Sequence, residues 1–137
     1  MRRVTPVFLA AAGLLVALDI VGALAEKPLG FPYPPFGVVS LLVYLSAGLY
    51  GAWRASFPVG VLGAASVGLL DGTLGPLAAW LVGPGPVGQT VTEPRVFAYS
   101  IAVVTAAAAA VGVVGALTGR WLERRRTFRS ASRVVPH

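Results

Sequence analysis

Apolar residues fall into four long blocks, and proline-rich or basic stretches separate them. The blocks cover residues 4–25, 36–53, 57–82 and 96–119. Each is near or above the roughly 17–25 residues a helix needs to cross a hydrocarbon core. The pattern predicts an all-α integral membrane protein: a four-transmembrane-helix bundle forming a single domain over residues 1–137, with a basic tail over 120–137. The link between the second and third blocks is only Arg54-Ala-Ser, so those two helices should be antiparallel neighbours. Pro58 suits the first turn of the third helix. Ala106 to Ala110 favour helix in the fourth, and that helix should run a turn or two beyond the membrane into the tail.

Two longer connections remain. Residues 26–35 carry four prolines, which argue against regular helix and for an extended segment. Phe31, Tyr33 and Phe36 there would suit the headgroup layer. Residues 83–94 form the second connection, with three prolines and Glu93. The first block has a competing reading. A basic start, an apolar run and Ala23-Leu24-Ala25 before Glu26 follow the secretory-signal pattern. The run is longer than the roughly 7–15 residues of a signal core, and Asp19 interrupts it. It is therefore read as a retained helix.

Composition sharpens this picture. Of 137 residues, 56% are hydrophobic and 12% charged, about half the roughly 25% charge of a soluble domain. Cysteine is absent, and the one histidine is the terminal His137. Thiolate chemistry, disulfides and Cys- or His-based metal sites are thereby excluded. No cofactor is implied. The net charge of +6 is almost all arginine. With the N-terminus inside, Arg2, Arg3, Arg54 and the tail arginines lie on one side, and only Lys27 and Arg95 on the other. The positive-inside rule then gives both termini in the cytoplasm. The arginine preference points to a GC-rich prokaryote and its inner membrane. The tail could touch anionic lipid, although setting orientation is enough to explain it. It has no fold of its own with which to bind nucleic acid.

Two stretches match internally. Pro6-Val7 through Leu18-Asp19 and Pro58-Val59 through Leu70-Asp71 begin and end alike at the same spacing. The second and fourth blocks also end alike, Gly51-Ala-Trp-Arg54 against Gly119-Arg-Trp-Leu. This suggests a tandem duplication of a helical hairpin, with two parallel repeats related by an axis along the membrane normal.

The match places two carboxylates at membrane depth, where acids are rare and need partners. Asp19 lies about 22 Å along its helix and Asp71 about 21 Å along its own, at 1.5 Å per residue. Ser40, Tyr44, Tyr99 and Ser100 fall near that level, with Arg95 at the outer mouth able to reach down. A polar layer in the outer half of the membrane is expected. Either the hydroxyls and Arg95 satisfy the acids, or the acids stay protonated and donate, or the layer binds a proton or cation. Pro76 should kink or open the third helix and release the Gly72 carbonyl, which favours ion binding. Gly60, Ala64, Gly68 and Gly72 form a small-residue stripe, and Gly112, Ala116 and Gly119 another. Such stripes let helices approach closely, within a chain or between copies.

Paired acids on separate helices, with Gly68-Leu-Leu-Asp71 around the second, resemble the intramembrane aspartyl proteases. The glycine that precedes the second acid in that family is leucine here, and Leu18-Asp19 stands where Tyr-Asp would. No Ser–His pair or Gly-rich phosphate loop accompanies them. The expected function is therefore non-enzymatic: an accessory or self-associating bundle, with a homo-oligomer or another membrane protein as partner. The alternative is a small oligomeric proton- or cation-coupled transporter or channel using Asp71 and Asp19.

Overall fold

A computed structural model describes residues 4–29, 34–82 and 90–131, and these are helical apart from short turns. Four α-helices follow one another: α1 (Thr5–Leu29), α2 (Pro34–Arg54), α3 (Phe57–Val82) and α4 (Pro94–Ala131), with a 3-10 turn at Thr90–Thr92 ahead of α4. Three of them are long and apolar enough to cross a membrane: Thr5–Ala25 in α1, Phe57–Val82 in α3 and Pro94–Arg125 in α4. No fourth such span is found among the described residues. Ser40, Tyr44, Ser46 and Tyr50 interrupt the apolar surface of α2.

The helices reach further than the apolar blocks. Residues 26–29 continue α1 despite Pro28, which sits in the last turn, where losing one hydrogen bond matters least. Pro34 and Pro35 stand in the first turn of α2 and Pro94 opens α4, positions whose N–H would be unpaired in any case. The expectation that proline excludes helix throughout residues 26–35 is corrected accordingly. Helix α4 runs about three turns past Gly119, taking 3.6 residues per turn. Phe31, Tyr33, residues 83–89, Arg2, Arg3 and His137 lie outside the described residues, as does the side chain of Phe36.

At the tight α2–α3 junction, Ala55 N–H donates to the Gly51 carbonyl and Gly60 N–H to that of Ser56, both at 3.0 Å. The two helices are thus antiparallel neighbours, as the short link requires. At the head of α4, Phe97 N–H donates to the Glu93 carbonyl at 2.9 Å.

The packing is that of a membrane bundle. The interior is built of small residues: Ala12, Ala47, Ala52, Ala64, Ala79, Ala108 and Ala116 are buried, and Leu15 and Val67 are the largest fully buried side chains. The large apolar side chains point outward, among them Leu9, Leu42, Leu62, Leu81 and Leu117. In water such a surface would be an aggregation liability. In lipid no hydrophobic force drives helices together, and small residues that permit close backbone contact take over.

Helix α3 is the hub. It packs on α1, α2 and α4, while α2 and α4 also share an extensive contact. Helix α1 leans chiefly on α3, touches α2 less and forms no comparable contact with α4. A duplication with two-fold symmetry would make the α1–α2 contact equal the α3–α4 contact. The packing departs from that: α2, α3 and α4 form a close trio, and α1 is added along one side.

Candidate functional site

The close trio depends on glycines. A Cβ placed on Gly48 would stand 2.8 Å from Gly112 Cα, and one on Gly60 would stand 2.8 Å from the Ala52 nitrogen. Gly68 faces Ala108, and Gly72 lies against Val104 and the backbone of Ile101. Gly112 faces Ala64, Ala116 is fully buried, and Gly119 abuts the backbone of Leu49 and Trp53. Both small-residue stripes therefore serve contacts within the chain.

This close approach brings Asp71 into the middle of the trio. The residue is 8% exposed and lies buried between helices. Tyr44 of α2, itself 3% exposed, donates its hydroxyl hydrogen to Asp71 Oδ2. The other carboxyl oxygen, Oδ1, is buried and finds no hydrogen-bond partner among the described residues. Thr105 Oγ1 of α4 shares that condition. Its Cα lies 3.5 Å from a Cβ placed on Gly68, one turn from Asp71. Tyr44 and Asp71 thus meet directly, and Thr105 of α4 stands about one turn away along the bundle axis.

Asp19 reaches the same region from α1. A Cβ placed on Gly75 would stand 3.0 Å from Asp19 Cγ, so the carboxyl group rests on the α3 backbone where glycine leaves room. Gly75 is one turn beyond Asp71, about 6 Å along the axis. The two acids are neighbours in depth, but they are not level. At its other end α1 packs Phe8 against Gly63. Helix α1 therefore stands about one turn further along α3 than the internal match would place it.

The other expected members of the layer separate. Tyr99 is 72% exposed and points away. Arg95 is exposed at the head of α4, about six residues and some 9 Å before Ile101, which faces Gly72 beside Asp71. Ser40 and Ser100 are half-buried. Ser40, like Asp19, takes part in polar contacts. Pro76 is buried and leaves α3 unbroken from Phe57 to Val82, which corrects the expectation of an opened helix. Proline is tolerated in membrane helices where neighbouring helices compensate, and α3 has neighbours on three sides. The Gly72 carbonyl still lacks its usual donor, because Pro76 has no N–H.

Sequence reasoning missed Thr105 and the seat that Gly75 provides. Thr105 was legible as the one hydroxyl between Ser100 and Thr118 in α4, although its register against Asp71 was not. No group of three or more residues able to hold a metal ion occurs among the described residues.

Fold and site together define a small helical membrane protein, by length and composition, with a carboxylate buried between three helices. No protein family, curated protein or solved structure matches the chain.

Proposed function

We propose that this is a four-span protein of a prokaryotic inner membrane, with both termini cytoplasmic, whose interior carboxylate Asp71 takes up a proton or a monovalent cation. One observation carries the reading: Asp71 Oδ1 is buried without a partner among the described residues, in a region that Asp19 also enters. A buried carboxylate oxygen left unpaired is costly, and a bound proton or cation removes that cost. Helix α2 acts as the fourth span. It is held against α3 and α4, and its buried hydroxyl, that of Tyr44, meets protein and not lipid. Four helices enclose little space, so transport would need several copies or a partner.

The second reading is the non-enzymatic accessory bundle, in which Tyr44 and Asp71 form a neutral interhelical hydrogen bond and nothing is transported. The Tyr44–Asp71 bond itself favours it, since a protonated acid with a hydroxyl neighbour is a common interhelical tie.

Reconstituted liposomes separate the two. Under the ion-binding reading, a proton or sodium gradient drives flux through the wild type, and Asp71→Asn abolishes flux while keeping the melting temperature. Absence of flux from the wild type, with Asp71→Asn as stable as the parent, would leave only the accessory role.

A further inference from the structure

At the end of the bundle away from Asp71, helix α4 carries Leu117, Arg120, Trp121 and Arg124 along one face, the i, i+3, i+4, i+7 spacing of neighbours on a helix. Together with Phe57, the first residue of α3, these side chains line a groove of about 380 Å³. Leu117 and Phe57 give the groove an apolar wall, and Trp121 stands between Arg120 and Arg124, whose side chains leave α4 about one turn apart. Arg124 itself takes part in an interaction within the chain, and two other arginines of this end stack on tryptophan rings. Arg125 Cζ stacks 3.6 Å from the Trp121 ring centre, and Arg54 Cζ lies 4.8 Å from that of Trp53. The Arg125 stack braces the indole that forms the groove wall.

We propose that this groove is a binding site for an anionic phospholipid of the cytoplasmic leaflet. The phosphate would sit between Arg120 and Arg124, and the glycerol and upper acyl chain against Trp121, Leu117 and Phe57. Guanidinium groups match phosphate oxygens with paired hydrogen bonds. Tryptophan and arginine mark headgroup depth, and basic pockets between helices on the cytoplasmic side recognise anionic headgroups. A free anion would use the arginines only and leave the apolar wall without a role. A neutral lipid would use the wall only. The site rests on the chain spanning a membrane and is independent of what happens at Asp71.

The test uses the full chain purified in neutral detergent. Binding of phosphatidylglycerol, phosphatidylcholine and inorganic phosphate is measured by native mass spectrometry and by thermal stabilisation. Wild type should prefer phosphatidylglycerol over phosphatidylcholine, and phosphate should not compete. Arg120→Gln with Arg124→Gln should weaken phosphatidylglycerol binding roughly tenfold or more, with the melt in detergent alone unchanged. Arg2→Gln with Arg3→Gln removes the same charge from the same membrane side and should leave the preference intact. The charge-conserving Arg120→Lys with Arg124→Lys should weaken binding by less than the glutamine pair. Equal loss in the Arg2/Arg3 pair would show only general electrostatics and overturn the site. So would an undiminished preference in the Arg120/Arg124 pair, or full competition by phosphate, which would mark a free-anion site.

Discussion

Tyr44, Asp71 and Thr105 differ in what their removal should do, because they differ in what they touch. Tyr44→Phe keeps the ring but takes the one hydrogen bond from Asp71, leaving both carboxyl oxygens without a partner. Loss of stability near 1 kcal/mol is expected, since interhelical hydrogen bonds in membranes contribute about 0.6–2 kcal/mol. A double-mutant cycle with Asp71→Asn, read by thermal melts in detergent, should show a coupling of similar size. Zero coupling would mean the two side chains do not interact. Thr105→Val runs the other way. The hydroxyl makes no bond among the described residues, and replacing a buried unpaired group by an apolar one of the same shape is neutral or stabilising. A melting temperature lowered by Thr105→Val would show that the hydroxyl holds something, such as a water or ion shared with Asp71.

Among the elements, glycine positions make a sharp contrast within one residue type. Gly13 and Gly37 have open space where a Cβ would go, whereas Gly48 and Gly60 meet the backbone of a neighbouring helix. Backbone cannot yield as a flexible side chain can. Gly48→Ala should force α2 away from α4 and cost about 1–3 kcal/mol, the range of overpacking. Gly13→Ala should be neutral or gain up to ~1 kcal/mol from helix propensity. Gly75→Ala is intermediate, because the obstacle is the end of the Asp19 side chain, which can swing aside. Parallel melts of the three variants check the order. The same contacts explain what the sequence could and could not tell. The helices and the burial of Asp71 were legible, because apolar length and an acid flanked by glycines have direct physical meaning. The ends of α1 and α2 were not, because proline in a first or last turn is compatible with helix. Register was not legible either. The shift of α1 by a turn, and the placing of Thr105 opposite Gly68, depend on which glycine meets which backbone, and no local pattern records that choice.

For the whole molecule the decisive question is whether α2 crosses the membrane. Three helices are long and apolar enough by themselves, and three spans alone would put the termini on opposite sides. Helix α2 nevertheless lies antiparallel to α3, delivers Tyr44 to Asp71 and packs Leu45, Gly48 and Leu49 against the glycines of α4. A helix lying flat on the membrane surface could not make that series of contacts along two spanning neighbours. Under the proposed arrangement the trio inserts as a unit, with α2 carried across by its packing on α3 and α4. Arg54 lies at the end of α2, and Arg120, Arg124 and Arg125 lie at the same end of the bundle on α4. The proposed orientation places that end in the cytoplasm, as the positive-inside rule expects. A reporter active only in the cytoplasm should be active when fused at Ala55 or within the tail, and silent when fused near Gly88. Activity at Gly88 would invert or break the arrangement, and α1 and α2 lie between the N-terminus and Ala55, so reporters at those two points giving opposite results would mean that α2 does not cross. The same fusions carrying Tyr44→Phe and Asp71→Asn together test the coupling between scales. If the polar contact helps hold α2 in the membrane, activity at Ala55 and in the tail should fall together and activity at Gly88 should rise.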